Sequence, residues 1–494
     1  MSHNCFRSLL YKPRIAESPY LKILDLKYKP RHIVKSNPYF VVASVEVGNT
    51  TTKCILTATN LKDGKTSIVN KTVKMTRDVR MPKYGEKIFG KTLSGIPLTE
   101  ASIAELVRDT LIEACNSANI DIKEDLHFVV RSTGVVAGFA SPDEIGIFIK
   151  ALANGCLLAG VPPRRMTPAM SLLNIPENLR EYSNIEKVEF DGAVGGVVPP
   201  IGSTGVEIVA NEMEGELATA GIKEGAKWSN VDFRNPCLSL DFGTTLDGRI
   251  TNEDSPYAKT IGNFCGYAGE IPDSIVQGTG LVDKNIGNAL DLYKGSKNVW
   301  TILRKCKIIK EYVKDINQSI KIEKVPDDRD RYGSVPVNPK AAKKNDVVLI
   351  GCDVGVNGSD LFNLKKIGRD IYKKHGLKTV FATIDMVMAK VTFRLIKVAK
   401  DYNLITDKTS IGITGRAGIT GNKPKLILFY LDKLKLFKNP EEHVVFVDDG
   451  LARGAAVMAR CMNSLGTPKN PVGGLSGDSC LLGKRMKLQK KRLR

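Results

Sequence analysis

The sequence "VVASVEVGNTTTKCILTAT", residues 41–59, joins two apolar segments through a strongly polar turn. β-Branched residues on both sides of a short glycine-containing turn are typical of a β-hairpin. A tight turn of this kind also exposes backbone N–H groups, which bind phosphate when no side chain blocks their approach. The turn is therefore either an ordinary hairpin or part of a phosphate site. The residues that would form the site are Glu46, Gly48, Asn49, Thr50, Thr51 and Lys53.

The same pattern returns 195 positions later, in "CLSLDFGTTLDGRIT" at residues 237–251. An apolar strand again leads through an acidic residue to a glycine and hydroxyl side chains, here Asp241, Gly243, Thr244 and Thr245. A repeat at this distance indicates two related halves rather than a solenoid of short repeats. Together the two turns predict a phosphate clamp, in which Glu46 and Asp241 hold a divalent cation.

A third glycine-rich segment, "GITGRAGITG" at residues 412–421, lies between a predicted strand and a helix. Its Gly415, Arg416 and Gly418 are predicted to shape a nucleoside site, with Arg416 stacking on a base. A helix predicted over residues 206–226 precedes the second turn and carries Glu212 and Glu216 four residues apart, hence on one face. Further acidic candidates for the site are Asp247 and Asp448.

The chain of 494 residues is too long for one compact core, so more than one domain is expected. The strand and helix patterns predict an α/β protein. The expected boundaries are a basic extension at 1–40, a domain at 41–235, a domain at 236–447 with a Lys-rich helical insertion and surface loop at 297–345, a closing helix at 448–466 and a basic tail at 467–494.

The net charge of +20 is concentrated at the two ends of the chain. Residues 1–40 hold eight Lys/Arg against two acids, and residues 484–494 hold seven Lys/Arg and no acid. Basic tails bind acidic partners or nucleic acid. Specific nucleic-acid binding is not expected here, because no aromatic residues interleave with the basic ones and no nucleic-acid motif is present.

Two further features bear on the compartment. No uncharged apolar run of about 18 residues exists, so no membrane span is expected, and the first residues lack the apolar core of a signal peptide. The ten cysteines are scattered without a C-x-x-C pair. This pattern predicts reduced, buried thiols in a cytoplasmic protein, with Cys265 a structural residue.

Five segments resemble the motifs of the superfamily of actin, sugar kinases and heat-shock protein 70 ATPases. "VEVGNTTTK" (45–53) and "LDFGTTLDG" (240–248) resemble its two phosphate loops, and "IGITGRAGITG" (411–421) resembles its adenosine loop. "GELATAGIKEGA" (215–226) and "GLARGAAVMA" (450–459) resemble its connecting helices. The first turn resembles those of dehydratase activators and of reactivating factors for cobalamin-dependent enzymes, and the whole chain is most similar to the archaeal methanogenesis marker protein 14 family.

The resemblance implies two ribonuclease-H-like domains flanking a nucleotide cleft, with ATP and Mg²⁺ bound across the two turns. It implies an ATP-driven activator that closes on a partner metalloenzyme, such as a nickel-tetrapyrrole reductase or a corrinoid protein. Glu212, Glu216 and Asp241 become the catalytic candidates. Glu46 stands where most members have aspartate, so a weak or partner-stimulated ATPase is expected. A non-hydrolysing nucleotide-sensing scaffold and a small-molecule kinase remain alternatives.

Overall fold

A computed structural model describes most of the chain. The described residues are 7, 9–17, 20–21, 39–48, 50–60, 63–92, 95–133, 142–166, 212–253, 260–282, 289–292, 299–344 and 346–466.

The described residues divide into two compact units. One consists of Met1–Ala16, Ile208–Glu253 and Ala258–Gly450, and is called the second-turn unit because it contains Asp241. The other consists of Glu17–Glu207, Asp254–Tyr257 and Leu451–Arg494, and is called the first-turn unit because it contains Glu46.

Sixteen β-strands occur in the described residues. They are β1 (Arg14–Ala16), β2 (Tyr39–Val47), β3 (Thr51–Asn60), β4 (Thr66–Met75), β5 (Ile88–Lys91), β6 (Pro97–Thr99), β7 (Phe128–Thr133), β8 (Cys237–Phe242), β9 (Leu246–Thr251), β10 (Thr260–Gly266), β11 (Ile320–Lys324), β12 (Arg331–Tyr332), β13 (Val335–Pro336), β14 (Val348–Val354), β15 (Ser410–Thr414) and β16 (Val444–Val447).

Fourteen α-helices occur in the same residues, together with two 3₁₀ turns at Thr76–Asp78 and Pro163–Arg165. The helices are α1 (Glu100–Ser117), α2 (Pro142–Leu158), α3 (Glu212–Ala226), α4 (Glu270–Gln277), α5 (Ala289–Leu292), α6 (Val299–Arg304), α7 (Cys306–Ser319), α8 (Pro339–Lys344), α9 (Leu361–His375), α10 (Leu377–Asp401), α11 (Arg416–Ile419), α12 (Lys423–Asp432), α13 (Pro440–His443) and α14 (Gly450–Gly466).

The first-turn unit contains a four-stranded sheet of order β4-β3-β2-β7. Strands β2, β3 and β4 form an antiparallel meander, and β7 pairs with β2 in parallel. Helix α1 packs against this sheet and against α2. It begins with a capping box, since the Thr99 side chain accepts from the Ser102 amide and the Ser102 side chain accepts from the Thr99 amide.

The second-turn unit contains an eight-stranded mixed sheet of order β1-β16-β15-β8-β9-β10-β14-β11. Strands β8, β9 and β10 form an antiparallel meander, and β15 pairs with β8 in parallel. The four central strands thus have the same order and directions as the sheet of the first-turn unit. The prediction of an α/β protein built from two ribonuclease-H-like halves is confirmed.

Helix α3 belongs with the second-turn unit, whereas the sequence boundary at 235 placed it with the first. The helix packs on β8, β9 and β16 at two close approaches. A Cβ on Gly215 would lie 3.3 Å from the Gly248 carbonyl, and one on Gly225 would lie 2.4 Å from a Val447 methyl group. Small residues at these positions allow the helix to contact the sheet backbone.

Residues 299–344 contain more regular secondary structure than the helical insertion and surface loop predicted for 297–345. Its helices α6 and α7 lead into β11, which pairs antiparallel with β14 and extends the main sheet. The following loop contains the β12–β13 hairpin and α8. Tyr332 of this hairpin is buried against Gly351, where a Cβ would lie 2.3 Å from its ring. The loop therefore covers the sheet rather than standing in solvent.

The cysteines whose burial the structure describes are buried, with one departure from the prediction of reduced thiols. Six of them, including Cys265, are buried thiols outside any disulfide, so the structural role predicted for Cys265 agrees with its position in β10. Cys306 is disulfide-bonded, and the prediction is wrong at that position. No helix within the described residues combines the length and apolar character that crossing a membrane requires.

Candidate functional site

One edge of the eight-stranded sheet holds the second turn and the third glycine-rich segment, two of the three segments that the sequence predicted to bind a nucleotide. Strands β1, β16, β15, β8, β10 and β14 all run in one direction, and only β9 and β11 are reversed. The carboxyl ends of parallel strands meet at one edge, where α/β proteins place their ligands. The residues that follow five of these ends, those of β8, β10, β14, β15 and β16, are Gly243, Tyr267, Gly355, Gly415 and Asp448.

Two buried carboxylates face each other at this edge. Asp241 on β8 and Asp247 on β9 are directly opposite in the antiparallel register, and they are 4% and 3% exposed. Opposed residues project to the same face, and like charges in this arrangement repel. The Thr245 hydroxyl donates a hydrogen bond to Asp247 Oδ2 at 3.3 Å. A bound cation would offset the repulsion between these two carboxylates.

The turn between them, Gly243–Thr245, is held by the start of α4. The Gly269 amide donates to the carbonyls of Gly243 and Thr244, both at 2.9 Å, and the Ala268 amide donates to Thr244 at 3.2 Å. Within the described residues, the Gly243 amide has no acceptor. A backbone whose carbonyls are engaged on one side while an amide stays available is suited to an anion.

The glycines of the third segment bring its backbone close to Asp241. Gly415 has φ +83°, and a Cβ there would lie 2.4 Å from Asp241 Oδ1 and from the Phe242 carbonyl oxygen. A Cβ on Gly418 would lie 2.6 Å from the Phe242 ring. Any side chain at Gly415 would therefore fill the space around the Asp241 carboxylate. This cradle fits a small ligand or metal ion bound at Asp241.

A buried ion pair anchors the same segment. Lys423 Nζ lies 3.1 Å from Asp385 Oδ1, with side chains only 5% and 3% exposed. Asp385 Oδ2 also accepts from the Asn422 amide at 3.0 Å, and Lys423 donates to the Thr420 carbonyl at 3.2 Å and hydroxyl at 2.9 Å. Gly421 approaches the Asp385 carboxylate, since a Cβ there would lie 2.6 Å from it. The long helix α10 thus fixes the end of the glycine-rich segment.

The first turn is arranged differently. Glu46 and Lys53 are cross-strand partners, and their Oε2 and Nζ atoms lie 3.2 Å apart. The Gly48 amide donates to the Thr51 carbonyl at 3.0 Å and closes the hairpin. Thr76, at the start of the 3₁₀ turn after β4, supports the hairpin, because its hydroxyl donates to the Gly48 carbonyl at 2.7 Å and its amide donates to the Thr50 carbonyl at 2.9 Å. Lys53 therefore contacts Glu46.

Several predicted site residues stay predictions. Asn49 lies outside the described residues, and so do the side chains of Glu212 and Glu216 on α3. Arg416 is the first residue of α11, directly after Gly415, and nothing tests its stacking on a base. Within the described residues, no group of three or more His, Cys, Asp or Glu side chains is placed to hold a metal ion. Bound Mg²⁺ would take its other ligands from phosphate and water.

Asp353 was not identified by the sequence analysis, although the sequence pattern around it resembles that of the second turn. "CDVG" at 352–355 repeats the acid-x-Gly pattern of "LDFG" at the end of β14. The Asp353 carboxylate accepts the amides of Asn357 at 2.7 Å and Gly358 at 3.1 Å. These contacts close a turn next to the site. Asp353 therefore acts as a turn-capping residue in this structure.

The chain has weak structural similarity to two solved proteins. It is similar to a solved "Reductive activator for corrinoid,iron-sulfur protein" at 11% identity and TM-score 0.35, covering 86% of this chain and 61% of that one. It is also similar to a Ppx/GppA protein of Aquifex aeolicus at 14% identity and TM-score 0.29, covering 86% and 98%. These scores are too low to carry an argument.

Two relatives are similar over nearly their whole length. One is "Uncharacterized protein MJ1451" of Methanocaldococcus jannaschii, 55% identical over 97% of this chain and 96% of the relative. The other, "Uncharacterized protein" of Methanothermobacter thermautotrophicus, is 53% identical over 99% and 93%. Residues 39–489 match the family described as "Uncharacterized protein conserved in archaea (DUF2114)", and the chain belongs to that family.

Proposed function

We propose that this protein binds ATP with Mg²⁺ at the carboxyl edge of the second-turn unit. The observation that supports this most is the opposed buried pair Asp241 and Asp247 beside a glycine turn. Mg²⁺ is commonly bound by one or two carboxylates together with phosphate oxygens, whose charge it neutralises. Asp241 and Asp247 would hold the ion, and the backbone of Gly243–Thr245 would hold the phosphates.

The proposed role is that of an activator or reactivation factor for a partner metalloenzyme. The likeness of the first turn to those of dehydratase activators supports this role, and both relatives come from methanogens. A nickel-tetrapyrrole reductase or a corrinoid protein is the partner that the resemblance implies. Membership of the methanogenesis marker protein 14 family and ATP-linked closure of the two halves belong to the same proposal, as does a water-activating role for Glu212 or Glu216.

Isothermal titration of the full chain with ATP tests the nucleotide site. Binding is expected with Mg²⁺ present and should weaken strongly in EDTA, because the opposed carboxylates repel an uncompensated phosphate. Absence of binding with Mg²⁺ present would refute the proposal. Stimulation of phosphate release by a partner captured from the native host would then support the activator role.

A second candidate is a scaffold that binds ATP without hydrolysing it. The Glu46–Lys53 ion pair favours it, because the carboxylate predicted to hold metal at the first turn already has a cation at 3.2 Å. A phosphate-release assay separates the two candidates. Binding of Mg²⁺ and ATP with no release, with or without candidate partners, is the result expected of the scaffold.

A further inference from the structure

Four cationic residues lie on or next to three packed helices of the second-turn unit. Lys310 lies on α7, Lys390 and Arg394 lie on α10, and Lys433 directly follows α12. Helices α7 and α12 both pack against α10. Lys390 and Arg394 are four residues apart and therefore lie on one face of the helix. These four residues are called the basic cluster.

Arg394 is fixed in place by neutral groups. Its Nη1 donates to the Asn317 side-chain and backbone oxygens at 3.3 and 3.4 Å, and its Nη2 donates to the Ile320 carbonyl at 2.8 Å. These contacts position the guanidinium group, and none of its partners among the described residues is a carboxylate. Arg394 thus contributes a fixed positive charge beside Lys390.

Lys433 lies on aromatic faces rather than against an acid. Its Nζ is 4.3 Å from the Phe429 ring centroid and 5.2 Å from that of Tyr430. The neighbouring Asp432 instead accepts a hydrogen bond from the Tyr11 hydroxyl at 2.9 Å. The ammonium group is therefore held by ring faces, which leave its charge available to a partner.

Lys390 is half-buried among these like charges. It makes no hydrogen bond or ion pair with the residues that the structure describes. Burial, together with the positive charges of Lys433, Lys310 and Arg394, lowers the pKa of Lys390. Burial and the charge of Lys310 likewise lower the pKa of Lys433. An approaching anion would offset this repulsion.

We propose that the basic cluster is a docking site for an acidic segment of a partner protein. Charges spread over three neighbouring helices suit a row of carboxylates better than one compact anion, since packed helix axes lie roughly 8–10 Å apart. Single-stranded nucleic acid is disfavoured, because it needs free aromatic faces for stacking. Here Lys433 covers the rings of Phe429 and Tyr430. The inference does not depend on nucleotide binding.

The test measures binding of a fluorescein-labelled peptide of alternating glutamate and serine to the full chain, without nucleotide. The double variant Lys390→Gln/Lys433→Gln should weaken binding about tenfold, because charged pairs across an interface contribute at this scale. The matched control, Lys340→Gln/Lys344→Gln, removes the same charge from exposed positions on α8 and should change binding less than about twofold. Thermal unfolding of both variants verifies that they fold.

Three results would overturn the proposal. The first is unchanged peptide binding by a folded Lys390→Gln/Lys433→Gln protein. The second is an equal loss in the control, which would assign binding to total charge. The third is tighter binding of oligothymidylate or tripolyphosphate than of the acidic peptide, lost in the same double variant, which would make the cluster a phosphate site.

Discussion

The two hairpins share strand order and direction but differ in the residue opposite their acid. Glu46 faces Lys53 in the first-turn unit, whereas Asp241 faces Asp247 in the second. The first acid is neutralised within its own hairpin, and the second adds to a like charge. One backbone design thus supports two electrostatic environments. Strand order and direction do not distinguish the two hairpins, but the register of the opposed residues does.

The largest expected effect is a loss of stability when the buried ion pair at the end of the glycine-rich segment is broken. Lys423→Met should destabilise the second-turn unit by about 3–5 kcal/mol, because it leaves Asp385 as a buried charge without its partner. Urea unfolding followed by circular dichroism measures this loss. Lys423→Met/Asp385→Leu should recover part of it, and exposed Lys438→Met is the control. A loss below about 1 kcal/mol would mean that the ion pair does not anchor the segment.

The second-largest expected effect is on ATP affinity, which should depend on Asp241 much more than on Glu46. Asp241→Asn is expected to weaken binding of ATP in the presence of Mg²⁺ by about 100-fold, roughly 3 kcal/mol, because it removes a charged ligand of the ion. Glu46→Gln should weaken it by less than about fivefold, since Lys53 already pairs with Glu46. Isothermal titration measures both affinities. Equal effects would show that the two hairpins are alike in function despite their registers.

The brace on the first turn predicts a smaller loss. Thr76→Val should lower the free energy of unfolding of the first-turn unit by about 1–2 kcal/mol, because the buried Gly48 carbonyl loses its hydroxyl donor. Thr72→Val on β4, four residues before Thr76, is the matched control and should have a smaller effect. Chemical denaturation followed by far-ultraviolet circular dichroism measures the free energy of unfolding of both variants. Equal losses in both variants would assign the effect to strand packing.

The smallest expected effect is on the free energy of unfolding without metal, and it has opposite signs in the two hairpins. In EDTA, Asp241→Asn should raise the free energy of unfolding by about 1 kcal/mol, since it relieves repulsion with Asp247. Glu46→Gln should lower it by about 0.5–1 kcal/mol, since it breaks the pair with Lys53. Thermal unfolding with and without Mg²⁺ measures both. Changes of the same sign would show that Asp241 and Asp247 do not repel one another in the protein.

Local patterns predicted the two hairpins and the helix before the second turn, because each depends on residues close in sequence. The pairing of β11 with the main sheet and the ion pair between α10 and Lys423 could not be predicted in this way. Asp385 and Asn422 are 37 positions apart, and their contact depends on how the helices pack. The pairing of Asp241 opposite Asp247 could be predicted from the sequence, because a short turn fixes the register of a hairpin.

Strand β1 determines when the sheet of the second-turn unit can be completed during protein synthesis. Arg14–Ala16 pairs with Val445–Val447, and Tyr11 bonds to Asp432 across 421 positions. During synthesis, the first strand of this sheet leaves the ribosome long before its neighbour exists. The unit can therefore complete its sheet only after almost the whole chain has emerged. Until then, the unpaired edge is open to other chains, as exposed edges are in general.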